Sequence, residues 1–217
     1  MGDAIVGVVA NPLSGRDIRR LVTQASVFPT AEKANMIQRM LTALAAVGVH
    51  RVLLSTDLGG ISAAVFRAIE RRGGAGSRWP EAEFLDGQPI RQTAQDTVDA
   101  VRRMVTSGAQ VIVCLGGDGT ARVTASAAGD VPMLALSTGT NNTFPAVREA
   151  TIAGLAAQRL LQLPAAMAGL RLRVLQLRVP VGPVDLRVHE VHHPSHVAAV
   201  VGPEGLTDDP LILVAHL

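Results

Sequence analysis

Short apolar runs alternate, over roughly the first three quarters of the chain, with segments in which apolar residues recur every three or four positions. The apolar runs predict strands at 4–10, 51–55, 83–85, 111–115 and 132–136. Helical spacing predicts helices after Thr30, from Ile61, from Thr93 and over 121–128, and Thr93 with Asp96 has the spacing of a capping pair. This alternation predicts an α/β fold, an open and mostly parallel sheet with helices on both faces.

The pattern changes after Leu163. Residues 164–169 form a junction rich in helix breakers, and from Arg171 onward apolar and polar residues nearly alternate. Such alternation is typical of antiparallel strands with one solvated face. We therefore expect an α/β nucleotide-binding domain over 1–163 and a β-rich segment over 170–217. This segment could be an incomplete unit. Because this segment is too short to bury a core of its own, it is expected to pack on the first domain or on another copy in a homo-oligomer.

Polar residues follow the predicted strands at the edge where parallel sheets bind ligands. They are Asn11, Asp57, Asp86, Asp118 and Asn141. Loops are polar in any case, so this convergence predicts where a site lies without defining its chemistry.

The most informative segment is 111–120, which reads VIVCLGGDGT. Gly116, Gly117 and Gly119 have no Cβ, so they can take positive φ values and let a polyphosphate approach the backbone N–H groups directly. Asp118 could hold Mg²⁺ or accept a proton from an attacking hydroxyl. The alternative is a tight turn in which Asp118 is the N-cap of the next helix. Cys114, inside the apolar run, is expected to be an unreactive core thiol.

Composition restricts the partners. The net charge is +2 without blocks of like charge, and aromatic residues make up 2% of the chain with no tyrosine, which excludes a basic arm or a stacking platform for nucleic acid. No apolar run approaches the roughly 20 residues that span a bilayer, and the chain enters its first strand directly. We therefore expect a cytoplasmic protein with no membrane span and no nucleic-acid partner.

GGDGT after a buried strand, together with an NPLSG loop after an N-terminal strand, resembles the superfamily of NAD kinases and diacylglycerol and sphingosine kinases. The segments NPLSGRDIRRL, TAEKANMIQRML and STGTNNTFP are most similar to its ATP-NAD kinase-like family, a group that includes acetoin catabolism proteins. The resemblance extends over roughly residues 4 to 160.

The resemblance implies transfer of a phosphoryl group from ATP or polyphosphate to the ribose 2′-hydroxyl of NAD, with Mg²⁺. It gives Asp118 the catalytic role of activating the acceptor hydroxyl or organising the metal. Nucleotide or phosphate contacts are implied for Asn11, Ser14, Gly15, Arg16, Gly116, Gly117, Gly119, Thr120, Gly139, Thr140, Asn141 and Asn142. Arg16 with Asp17 is also typical of a charged first helical turn, and Asn141-Asn142 of an ordinary turn.

Departures from the family leave several interpretations open. The second, threonine-proline-glycine-serine motif of NAD kinases has no counterpart after Leu163, and the loop 137–143 matches neither NAD kinases nor lipid kinases closely. Three expectations therefore stay open: a truncated or minimal phosphotransferase of this family, a non-catalytic nucleotide-binding protein of a catabolic or regulatory complex, or a diacylglycerol-kinase-like lipid kinase.

A cluster of histidines near the C-terminus suggests a metal site. Its members are His189, Glu190, His192, His193 and His196. Pro194 and the neighbouring valines disfavour the helix that would bring His189 and His193 onto one face, so polar strand ends and a loop are the favoured interpretation.

Overall fold

The computed structural model describes residues 4–15, 28–72, 79–85, 89–139, 142, 145, 149–161, 176–178 and 214–216. Five strands form the main sheet: β1 (Ile5–Ala10), β2 (Arg51–Ser55), β3 (Glu81–Leu85), β4 (Val111–Gly116) and β5 (Met133–Ser137). The helices between and after them are α1 (Thr30–Ala46), α2 (Ile61–Arg72), α3 (Ala94–Thr106), α4 (Asp118–Ala128) and α5 (Ala150–Leu161).

The five strands are parallel and lie in the order β3-β2-β1-β4-β5. The chain builds the sheet outward from β1 to β3, then crosses back to place β4 on the other side of β1. The loops after β1 and β4 consequently diverge toward opposite faces and leave a crevice at the carboxyl edge, the topological switch point of such sheets. The predicted α/β fold is confirmed.

Helices cover both faces of the sheet. Helices α1, α2 and α5 pack together on one face, and α3 and α4 pack together on the other. Side chains of β4 alternate between the two cores, with Val113 in one and Ile112 and Cys114 in the other. Both faces are buried, which explains why the strand reads as an unbroken apolar run.

Helix α5 was not predicted from the sequence. Its buried face consists mainly of small residues, including Ala153 and Ala157, and it packs closely on α1. A Cβ added at Gly154 would lie 2.7 Å from the Cβ of Ala43 in α1. The recurrence of alanines every three or four positions was the available signal, but small side chains make a weak amphipathic pattern.

Two three-residue strands are described near the C-terminus, β6 (Gln176–Arg178) and β7 (Val214–His216). They pair in parallel, so the prediction of antiparallel strands is wrong for this pair. Alternation reports which face of a strand is solvated and carries no information about direction, and the chain between these strands is long enough for a crossover. The histidine cluster lies outside the described residues.

No helix in the described part of the chain is long and apolar enough to cross a bilayer.

Candidate functional site at the switch point

A cleft of about 800 Å³ opens at the carboxyl ends of β1, β2 and β4. This volume is within the range of small-molecule and cofactor sites. The loops after β1 and β2 form one wall, and the first turns of α3 and α4 contribute another. Gly139 and Asn142, which follow β5, also line it. The position predicted for a ligand site is therefore occupied by a cleft of suitable size.

Asn11 joins the loop after β1 to the glycine-rich motif. Its Oδ1 accepts a hydrogen bond of 2.8 Å from the N–H of Leu13, an arrangement that fixes the turn. Its Nδ2 donates a hydrogen bond of 2.9 Å to the hydroxyl of Thr120 in the first turn of α4. The same side chain thus shapes its own loop and holds the adjacent one.

Ser14 makes the corresponding connection to the loop after β5. Its buried hydroxyl lies 2.7 Å from the hydroxyl of Thr138 and donates to the carbonyl of Asn11 at 2.9 Å. Gly15 follows with a φ of 77°, a left-handed conformation that glycine adopts without strain. Three loops that are far apart in sequence are therefore joined by side-chain hydrogen bonds beneath the cleft.

Two glycines of GGDGT are required by close contacts. A Cβ at Gly116 would lie 2.4 Å from the Cβ of Thr120, and a Cβ at Gly117 would lie 2.8 Å from Oδ1 of Asn142. Gly139 faces the same amide oxygen, at 2.5 Å from its would-be Cβ. Asn142 is fixed between these glycines by a hydrogen bond from its Nδ2 to the Ser137 hydroxyl.

The positive φ values that glycine permits are not used in GGDGT, because the described residues with positive φ do not include Gly116, Gly117 or Gly119. Gly117 is the N-cap of α4 and is extended, with φ −100° and ψ −173°. The strand passes into the helix through an ordinary N-cap residue, which needs no left-handed step. The glycine of the predicted phosphate loops that does need positive φ is Gly15.

Gly119 differs from its neighbours. A Cβ added there would meet nothing within 4 Å, and its φ is not positive. It lies in the first turn of α4 and lines the cleft. Neither backbone conformation nor packing within the described residues requires glycine at this position.

Asp118 is the first residue of α4. The interpretation of Asp118 as N-cap is therefore wrong, since Gly117 occupies that position without a side-chain capping bond. A carboxylate in the first helical turn is favoured by the helix dipole. Asp118 is half-buried and lines the cleft beside Gly119, where the predicted catalytic residue would be needed.

The other carboxylates of the cleft hold helix ends. Asp57 accepts hydrogen bonds from the backbone N–H groups of Ile61 at 3.1 Å and Ser62 at 2.6 Å, at the start of α2. Asp96 accepts from the N–H groups of Arg91 and Thr93, and with Thr93 it forms the predicted capping box of α3. Both side chains therefore have structural functions.

A magnesium ion would have to fit this set of ligands. Among the described residues, no three histidine, cysteine, aspartate or glutamate side chains cluster as a metal cage. Mg²⁺ commonly uses one or two carboxylates, with phosphates and water as its remaining ligands. One carboxylate at Asp118 fits an ion that arrives with the phosphates of a nucleotide.

Sequence reasoning missed Lys33, a fully buried residue in the first turn of α1. Its Nζ donates to the carbonyls of Asn11, Pro12 and Ser14 at 3.0, 3.2 and 2.6 Å. Lys33 is the one lysine of the sequence, and a cation is unfavourable at a helix N-terminus. Those two features were the available signal.

An apolar rim at the cleft mouth was also missed. Leu13 and Leu58 line the cleft with 47% and 65% of their surfaces exposed. Gln92, on the opposite wall, has a φ of 58°, an uncommon value for a residue other than glycine.

Three predicted site residues, Arg16, Thr140 and Asn141, lie outside the described residues, as does Asp86.

Cys114 is buried in β4, as predicted. Burial raises the pKa of its thiol from 9.0 to about 11, although a hydrogen bond from the Thr124 hydroxyl acts in the opposite direction. The thiol is accordingly protonated at neutral pH and is not a nucleophile of the site.

The sheet order, the switch-point cleft and the glycine-rich turn into α4 together define an α/β domain whose cleft lies at the topological switch point of the sheet. Residues 6–162 match the ATP-NAD kinase N-terminal domain, and the chain belongs to that family. The predicted resemblance is thus confirmed.

A curated relative is acetoin catabolism protein X of Cupriavidus necator, which is 44% identical over 152 residues. The alignment covers 70% of this chain and 42% of the relative, so the chain spans less than half the length of the relative it matches.

Proposed function

We propose that the protein is a phosphotransferase that moves the terminal phosphoryl group of ATP, or of polyphosphate, to the ribose 2′-hydroxyl of NAD. Membership of the ATP-NAD kinase family supports the class of reaction. The observation that carries the proposal is Gly119, a cleft residue beside Asp118 that the fold does not require to be glycine. A ligand in close contact with the α4 backbone accounts for it. A cytoplasmic location belongs to the same proposal.

Phosphate binding rests on the first turn of α4. The N–H of Ala121 bonds back to the carbonyl of Gly117, so the N–H groups of Gly119 and Thr120 in the first turn have no acceptor within the helix. Such groups, with the positive end of the helix dipole, bind phosphate. The hydroxyl of Thr120 accepts from Asn11, which leaves its hydrogen able to donate to a phosphate oxygen.

Asp118 would act on the acceptor. Its carboxylate takes the proton of the attacking hydroxyl as the new oxygen–phosphorus bond forms and the bond to the leaving β-phosphate oxygen breaks. The rest of the rate enhancement comes from positioning and charge neutralisation, since phosphoryl transfer asks little covalent chemistry of the protein. Mg²⁺, when bound with the nucleotide, supplies positive charge to the phosphates.

The apolar rim favours a second candidate. Two exposed leucines, Leu13 and Leu58, stand at the mouth of the cleft, where a hydrocarbon chain could pack. A lipid acceptor, as in diacylglycerol kinases, would make use of this surface. A non-catalytic nucleotide-binding protein is the third possibility, since a family fold alone does not establish activity.

A binding and transfer panel tests these alternatives. Unfolding temperatures are measured with ATP, ADP, NAD and NADP, each with Mg²⁺, because a ligand at 100 times its Kd stabilises the native state by about 2.7 kcal/mol. Labelled ATP is then offered with NAD or with diacylglycerol in mixed micelles. Stabilisation by both ATP and NAD with label in NADP supports the proposal. Label in the lipid favours the second candidate, and binding without transfer favours the third.

A further inference from the structure

We propose that Lys33 is a positioning residue that holds the loop at 11–15 in the conformation that binds phosphate. The chain contains one lysine, and it lies in the first turn of α1, where the helix dipole disfavours a cation. It is also fully buried, so its ammonium has lost its hydration. Burial of a charge is unfavourable unless hydrogen bonds compensate. The loop supplies such hydrogen bonds.

Three loop carbonyls surround the ammonium, those of Asn11, Pro12 and Ser14. An ammonium has three N–H donors, enough for one bond to each of these carbonyls. The contact with Ser14, at 2.6 Å, is the shortest of the three. Bonds from a charged donor are stronger than those between neutral groups, so Lys33 fixes the orientation of the peptide units that follow these carbonyls.

That orientation determines where the loop presents its N–H groups. The peptide between Ser14 and Gly15 is trans, so the Gly15 N–H points away from the Ser14 carbonyl and hence away from Lys33. Gly15 lines the cleft, and no acceptor for its N–H occurs among the described residues. Lys33 therefore directs a backbone donor to the ligand side of the loop.

The same contact extends to the rest of the site. Asn11 and Ser14, whose carbonyls bind Lys33, carry the side chains that hold Thr120 and Thr138. A loss of the ammonium would leave buried carbonyls unsatisfied and release the loop on which both connections depend. Lys33 itself does not line the cleft, so its effect on a ligand is indirect.

The test compares Lys33→Met with Met40→Ala, a matched control in α1 whose side chain is equally buried and lies in the hydrophobic core. Affinity is measured by calorimetry for ATP with Mg²⁺ and for inorganic tripolyphosphate. Lys33→Met should weaken both at least tenfold and should speed amide exchange at Leu13 and Ser14 while the middle of α1 is unchanged. Met40→Ala should lower the unfolding temperature and leave both affinities within about twofold.

Chemical rescue separates the effect of the ammonium group from the effect of side-chain packing. In a Cys114→Ala background, Lys33→Cys is unfolded, alkylated with 2-bromoethylamine and refolded, which rebuilds an ammonium at nearly the same place. Affinity should return, whereas alkylation with iodoacetamide, which adds a neutral amide, should restore clearly less of it. If Lys33→Met does not fold, Lys33→Gln takes its place in the comparison, with a smaller loss expected because its amide can still donate to some carbonyls.

The proposal is overturned if a folded Lys33 variant binds tripolyphosphate and ATP as tightly as wild type. It is also overturned if Met40→Ala loses the same affinity at equal stability. The role in ligand binding rests on the proposed function. A wild type that binds neither probe would contradict that function, while amide exchange at Leu13 and Ser14 would still decide whether Lys33 holds the loop.

Discussion

Replacement of Gly119 by alanine separates the requirements of the fold from those of a ligand. The new Cβ would meet nothing within 4 Å, and the backbone at this position does not need positive φ. Alanine is the better helix former by about 0.5–1 kcal/mol, so Gly119→Ala should leave the free energy of unfolding unchanged or raise it by up to that amount.

Ligand binding should respond in the opposite direction. A methyl group on the first turn of α4 would occupy the space through which a phosphate reaches the N–H groups of that turn. We expect the affinity for ATP with Mg²⁺ to fall at least tenfold, a loss of about 1.4 kcal/mol. Urea unfolding and calorimetric titration on the same preparation measure the two effects.

Gly116→Ala provides the contrast. Its Cβ would lie 2.4 Å from the Cβ of Thr120, so this variant should lose about 1–3 kcal/mol of stability through overpacking. Equal ATP affinity in Gly119→Ala and wild type would refute the reasoning. A loss of stability in Gly119→Ala as large as that in Gly116→Ala would refute it as well.

Further predictions concern Asn11 and Thr93, whose hydrogen bonds hold elements around the cleft, and the core residue Cys114. Asn11→Ala removes the bond to Thr120 and the turn bond to Leu13, and it should cost about 1–2 kcal/mol in urea unfolding together with part of the ATP affinity. Thr93→Ala removes the cap of α3 and should cost about 1 kcal/mol in urea unfolding. Cys114 should react slowly with a thiol reagent in the native protein and rapidly in urea. Its raised pKa predicts a stability that is complete below pH 9 and declines up to about pH 11, because the unfolded thiol ionises first; Cys114→Ala should lack this decline.

The sequence was sufficient for the fold where burial dictates residue type. β4 is covered on both faces, so each of its positions must be apolar, and the pattern identified it directly. α5 was not predicted because its close packing on α1 requires alanine and glycine, and these residues give little difference in hydrophobicity between the two faces of a helix. The relative direction of β6 and β7 was not predicted correctly because alternation reports burial alone.

The site was predictable to the level of motif but not of geometry. GGDGT and NPLSG marked the correct loops, yet their glycines serve different purposes. Gly116 and Gly117 make room for side chains, and Gly15 supplies the left-handed step. The sequence marks Lys33 as unusual but does not give its partners, which are backbone carbonyls and have no sequence signature.

The most direct test of the central claim is the formation of NADP from NAD and ATP with Mg²⁺, followed by mass spectrometry for wild type and Asp118→Asn. The substitution conserves volume and removes the charge that would accept the proton. The account predicts NADP with wild type and none with Asp118→Asn, while ATP binding is retained in both. Undiminished NADP formation by Asp118→Asn would contradict the role of Asp118, and a wild type that binds ATP and forms no NADP would contradict the proposed function.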